Sequence, residues 1–313
     1  MYRGGRRGQN VQVRHNLSVG NRAHPLFNHL QSLAKKHPER LGSLAIALAA
    51  GIWGLWVLVI RQTGLSGPVV ACIVMFALGT FTAPMLPRRL PRGWAMGWPL
   101  LATGVTDAGN ALLYYEALAR GPVAVAVLSH YLAPVLVAVF APFLLGQRAS
   151  KGVWLGLAVS LVGLLLLLGG DALQLDSKVL TTALLGAASA VFYALQTVIQ
   201  KRAGDRLTGA EMLVWHAWLS GLILLPFALM QPMPHWQGVA WLCGGAIVGG
   251  TFAGTVFLWG LRRVSAAKAG VLTYLEPVVG VAAGVFVLGE TMPALAPLGA
   301  LLILVAGIWV VRE

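Results

Sequence analysis

Ten apolar runs succeed one another along this chain, near 42–60, 67–86, 94–119, 122–145, 152–169, 179–199, 209–230, 236–261, 266–288 and 294–311. Each has about the 17 to 25 residues that a helix needs to cross the hydrocarbon core of a bilayer. Backbone N–H and C=O groups find no water there, so each run must satisfy its hydrogen bonds internally as a helix. Of 313 residues, 58% are hydrophobic and 11% charged, whereas about a quarter are charged in an ordinary soluble domain. The fold class that follows is an all-α integral membrane protein with ten transmembrane helices. Connections such as Gly146-Gln147-Arg148-Ala149-Ser150 leave no room for an extramembrane domain. Before the first run, residues 1–41 form a basic tail that is partly disordered, because residues 1–23 are rich in Arg, Gly and Asn without a hydrophobic period. Leu26, Leu30 and Leu33 fit either a short helix lying on the membrane or a solvated tail.

A net charge of +13 would suggest nucleic acid if it were spread over a soluble surface, but its placement is topological. Only Arg61, Arg120 and Lys178 of the 23 basic residues fall on the side opposite the N-terminal tail. Basic loops mark the cytoplasmic face, so both termini are expected inside, in a bacterial inner membrane, with the lipid bilayer as partner and no nucleic acid. The first run follows a polar tail and lacks a small-residue cleavage pattern, so it reads as a span and not as a secretory signal. Cys72 and Cys243 lie within spans and form no CxxC, so they read as packing residues. His15, His24, His29 and His37 lack the compact spacing of a ligand set. No metal and no cofactor are expected.

The segment Tyr131-Leu132-Ala133-Pro134 recurs as Tyr274-Leu275-Glu276-Pro277, and at the same offset Leu118 meets Leu261, Gly146 meets Gly289, and Gly156 meets Gly299. The chain therefore holds two copies of one unit, 42–169 and 179–311, joined by an extracytoplasmic linker at 170–178. Five crossings per copy force the second to enter from the opposite side, so the repeats are inverted. The charges agree, since the 146–151 loop is basic and its partner at 289–293 carries no Lys or Arg. Inverted halves give inward-open and outward-open conformations around a site near the midplane.

Together these residues resemble the EamA-type members of the drug/metabolite transporter superfamily, over about 42–311. The resemblance rests on Trp53-Gly54 in the first run with Phe192-Tyr193 in the sixth, Tyr114-Tyr115-Glu116-Ala117-Leu118 closing the third, the Pro134 and Pro277 repeats, and Leu288-Gly289-Glu290. Gln147 stands where many family repeats carry Glu. The resemblance implies a secondary carrier, often an exporter of amino acids, related metabolites or toxic compounds. It also implies a central cavity lined mainly by helices 1, 3, 4, 6, 8 and 9.

Ionisable residues inside a span are costly and mark function by default. Asp107, Asn110 and Tyr114 fall on one face of the third run. His130 lies one turn before Pro134, and Thr273 and Glu276 both precede Pro277, Thr273 by one turn; a proline frees a backbone carbonyl and bends a helix, so Pro134 and Pro277 are the candidate hinges. Asp107, His130 and Glu276 are the proton-coupling candidates, because burial moves the protonation equilibria of carboxylates and imidazoles. Tyr131 and Tyr274 open the two repeat motifs and join the site. Trp53 and Trp56 lie one turn apart, Tyr193, Gln196, Thr197 and Gln200 share a face, and Thr251, Thr255 and Trp259 recur every four residues. Such an aromatic box with a few donors suits a small organic substrate, and a cationic guest could use the ring faces. Trp215, His216 and Trp218 read as packing or interface residues, and Arg61, Arg120, Glu116 and Glu290 as loop charges or gate contacts. No catalytic residues are assigned. An intramembrane enzyme would need a nucleophile with its base, a HExxH pair or paired aspartates, and a channel would favour rings of like charge; the residues offer neither.

Overall fold

The computed structural model describes residues 37–88, 94–168 and 177–313. Expectations for residues 1–36 of the tail, its first three histidines and most of the 170–178 linker lie outside these residues, while the end of the expected tail, from Pro38, already belongs to the first helix. Within them the chain is helical, without a strand. Helices α1 (Pro38–Gly54) and α2 (Trp56–Ile60) form one stretch bent at Leu55, followed by α3 (Gly67–Thr82), α4 (Trp94–Arg120), α5 (Val123–His130), α6 (Ala133–Leu145) and α7 (Lys151–Leu168). Then come α8 (Ser177–Ala203), α9 (Gly209–Leu229), α10 (Trp236–Gly245), a π-helical segment (Ala246–Phe252), α11 (Ala253–Leu261), α12 (Ala266–Thr273), α13 (Leu275–Leu288) and α14 (Ala296–Arg312).

Eight helical stretches among the described residues are long and apolar enough to cross a bilayer, and the chain is an integral membrane protein. Two of the ten expected runs differ. The last, α14, has 17 residues, and α4 is long but carries Thr103, Thr106, Asp107 and Asn110 through its middle.

Local chemistry explains the breaks. Pro134 and Pro277 lack the N–H that would bond the carbonyls of His130 and Thr273, and the helix is interrupted at Tyr131–Leu132 and again at Tyr274. Gly146 and Gly289 end α6 and α13 with φ of +68° and +71°, a left-handed conformation that glycine adopts without a Cβ penalty. The repeat thus preserves both a break and a stop. Thr208 and Glu211 form a capping box at the start of α9, satisfying N–H groups that a helix start leaves open.

Packing brings distant segments together. α1 lies against α11, α12 and α13, whereas α8 lies against α4, α5 and α6; α3 pairs with α9, and α7 with α14. Small residues allow the closest approaches. A Cβ on Gly54 would fall on the backbone at Glu276 and 2.7 Å from Val279 Cβ, and one on Gly163 would lie 2.8 Å from Gly299 O. Among the apolar clusters one gathers around Ile46, Met212, Phe257 and Leu261, and another around Leu157, Leu164, Val271 and Tyr274. The space between the halves is left for a cavity.

Candidate functional site

A cavity of about 340 Å³ opens between α1, α3, α4, α8, α9, α11 and α13. From α4, a helix whose polar face is spaced at three and four residues, come Asp107, Asn110 and Tyr114; α8 faces them with Tyr193, Gln196 and Gln200. Trp53 and Trp56 close one side and Glu276 enters from α13. A second chamber of about 170 Å³ lies next to it, walled by His130, Tyr131, Pro134 and Thr273. Trp53, Tyr193 and Glu276 line both, so these three side chains form the partition.

Hydrogen bonds hold the walls in place. Gln196 Nε2 donates to Asp107 Oδ1 at 2.9 Å, tying α8 to α4. The other carboxylate oxygen, Asp107 Oδ2, is buried without a partner among the described residues, as is Asn110 Oδ1. Trp53 Nε1 donates to Gly249 O in the π-helical segment at 2.8 Å, and its ring lies 5.0 Å from that of Phe257. Glu276 and Tyr131 line the smaller chamber together, while the Tyr274 hydroxyl donates to Tyr131 O at 2.8 Å. That last bond satisfies a carbonyl at one helix break from the residue at the other.

The two histidines can be assigned from their partners. Ser189 Oγ donates to Gly186 O, so its contact of 2.9 Å with His130 Nδ1 makes that nitrogen the donor. His216 Nδ1 meets Met212 O at 2.5 Å, and a carbonyl can only accept. In the neutral tautomer each ring then carries its acceptor at Nε2. His130 is stacked within aromatic rings, 4.4 Å from Tyr114 and 5.5 Å from Tyr193.

The structure gathers Trp53, Asp107, Asn110, Tyr114, Tyr193, Gln196 and Glu276 around the larger cavity, and His130 and Tyr131 around the smaller. Three expected residues do not join them. Tyr274 is fully buried and serves the helix break. Thr255 Oγ1 is buried away from the cavity without a partner, and Trp259 sits at the end of α11 with the Arg263 guanidinium 3.6 Å over its ring. Thr255 and Trp259 lie off the face that lines the cavity, which Gly250, Gly254, Phe257 and Leu258 form at helical spacing, and Thr251 turns to Thr82 at 2.9 Å.

His216, read from the sequence as a packing residue, stands in the wall together with Met75 and Leu78 of α3. Helices α3 and α9 thus line the cavity beyond the expected set, and α5 and α6 reach the smaller chamber only. Away from the cavity, Arg61 and Glu290 form an ion pair of 2.5 Å between α2 and the α13–α14 loop. Arg120 pairs within its own helix with Glu116.

The pattern of the EamA-like transporter family matches residues 40–169 and again 180–312. An uncharacterized transporter of Archaeoglobus fulgidus is 27% identical over 275 residues, covering 88% of this chain and 97% of the relative. The threonine/homoserine exporter RhtA of Escherichia coli K12 is 28% identical over 69% of this chain and 72% of its own length. The aromatic amino acid exporter YddG of Ancylobacter novellus is 27% identical over 79% and 87% respectively. A solved crystal structure superposes with a TM-score of 0.74 at 22% identity, over 87% of this chain and 99% of its own, a likeness of fold.

Proposed function

Because the chain belongs to the EamA-like transporter family, we propose that it is a secondary transporter that exports a small organic solute by alternating access around the central cavity. The solute is an amino acid, a related metabolite or a drug-like compound. The exporters of threonine and homoserine and of aromatic amino acids among its relatives support this class. A single observation carries the reading: a cavity lined by helices from both halves of the chain, with a buried carboxylate, Asp107, holding one oxygen unpartnered. A static bundle gains nothing from such a group, which costs free energy wherever it is left unsatisfied.

In this reading the chain crosses the bilayer ten times, α4 and α14 included, as two inverted repeats at 42–169 and 179–311. The 170–178 linker is then outside and both termini are in the cytoplasm of a bacterial cell. The exchanged packing partners of α1 and α8 support an inversion, as does the one-sided distribution of basic residues. Pro134 and Pro277 act as hinges, and the rocking halves expose the cavity alternately. Protons drive export through Asp107, His130 and Glu276, which line the two chambers and are joined by the shared partition.

The test is counterflow in proteoliposomes with labelled threonine, homoserine and phenylalanine, with and without an imposed pH gradient. Saturable exchange that accelerates with the gradient, and loses that acceleration in Asp107→Asn or Glu276→Gln, is expected. Exchange indifferent to the gradient and to both substitutions removes proton coupling; the absence of any exchangeable organic solute removes the carrier.

A further inference from the structure

The cavity carries two carboxyl groups, Asp107 and Glu276, and among the described residues neither chamber is lined by Lys or Arg. The two buried or half-buried lysines of the bundle are engaged elsewhere: Lys201 Nζ donates to Leu261 O and Val264 O, and Lys268 Nζ pairs with Glu39. Asp107, only 9% exposed, presents Oδ2 without a donor, and Asn110 Oδ1 lies one turn further along α4 in the same state. The tautomer of His216 set by Met212 O adds a further acceptor, Nε2, in the wall.

From this we infer that the transported guest is an organic amine, carried as its ammonium and without a free carboxylate. Its ammonium pairs with the Asp107 carboxylate, and its apolar body lies among Trp53, Tyr114, Tyr193 and Phe257. The ring faces attract a cation as well as an apolar body. A carboxylate on the guest would stand beside Asp107, with no guanidinium or ammonium among the described residues of the walls to receive it, and like charges in a site of low polarity repel strongly. The inference rests on the reading of the cavity as the transport site, and within the proposed solutes it favours amines that lack a carboxylate over the amino acids.

Three compounds with one carbon skeleton test it: phenethylamine, phenylalanine and hydrocinnamate, the amine, the zwitterion and the acid. Binding is followed by thermal shift of the purified full-length protein, and transport by counterflow in proteoliposomes. Phenethylamine is expected to bind and exchange, phenylalanine to do so about tenfold or more weakly, and hydrocinnamate not at all. A hydrogen bond to a charged group of the usual strength gives about a ten- to hundredfold loss when it is removed, so Asp107→Asn should weaken phenethylamine by that factor, and Asp107→Glu by less. Phenylalanine binding as tightly as phenethylamine, or hydrocinnamate exchanging, overturns the amine inference and leaves the carrier standing. Failure of all three to bind or exchange overturns the amine inference, and with threonine and homoserine equally inert the carrier reading falls too. The comparison of the three compounds on the unmodified protein decides the matter even if the Asp107 variants do not fold.

Discussion

The crossing of α1 over α13 sets the position of Trp53 and Glu276 together, and a single methyl group tests it. A Cβ at Gly54 would sit 2.7 Å from Val279 Cβ and 3.0 Å from Gly280 N, and closer still to the carbonyl of Glu276. Carbon atoms rest at about 3.5–4.0 Å, so Gly54→Ala requires the two helices to separate by about 1 Å. Backbone cannot swing aside as a side-chain tip can. Gly51 is the internal control, one turn earlier on the same helix, where an added Cβ meets nothing within 4 Å. Both substitutions gain the same helix propensity, about 0.5–1 kcal/mol, so their difference isolates the contact. Overpacking of this kind costs about 1–3 kcal/mol. Unfolding of the two purified variants in a denaturant titration should show that gap, with Gly54→Ala the weaker. Counterflow should fall in Gly54→Ala alone, since separation also pulls Trp53 from Gly249 O. Equal stability of the two variants would refute the crossing.

Other expectations follow from single contacts. Tyr274→Phe removes the donor to a buried carbonyl at the opposite helix break and should lower stability by about 1–3 kcal/mol, measured as a fall in the midpoint of unfolding. Lys268 is 4% exposed against Glu39, whose side chain is 56% exposed. Glu39→Gln should therefore destabilise more than Lys268→Met, because it strands a buried ammonium while the methionine strands only a solvated carboxylate; comparison of their unfolding midpoints decides. The Arg61–Glu290 pair is exposed on both sides, and such pairs contribute about 0.2–1 kcal/mol. Glu290→Gln should change exchange rates by no more than about fivefold, with the effect fading at high salt, and the swap Arg61→Glu with Glu290→Arg should restore the original rate.

Much of the site was legible because polar groups are rare in these helices. Asp107, Asn110 and Tyr114 could be placed on one face from spacing alone, and Tyr193 with Gln196 likewise, since an uninterrupted α-helix keeps its period of 3.6 residues. The same argument failed on the stretch leading to α11. Thr251, Thr255 and Trp259 recur at helical spacing, but the face that lines the cavity is that of Gly250, Gly254 and Phe257, which carries no polar side chain to mark it. His216 was missed for a related reason. Its polarity gave it no direction within a helix so apolar all round, and only the neighbours of α9 show which side faces the cavity.

By itself the sequence determined the solvent, the helical class, the duplication and the two proline breaks. Each of these follows from local chemistry: apolar length, the missing N–H of proline, and a glycine where φ turns positive. Tertiary structure alone decided which polar atoms are left without partners, and that the two helix breaks are joined by the bond from Tyr274 to Tyr131. Partners of that kind are 143 residues apart and depend on how the helices cross. Unsatisfied acceptors on Asp107 and Asn110 become visible only once every neighbour that could have supplied a donor is in place.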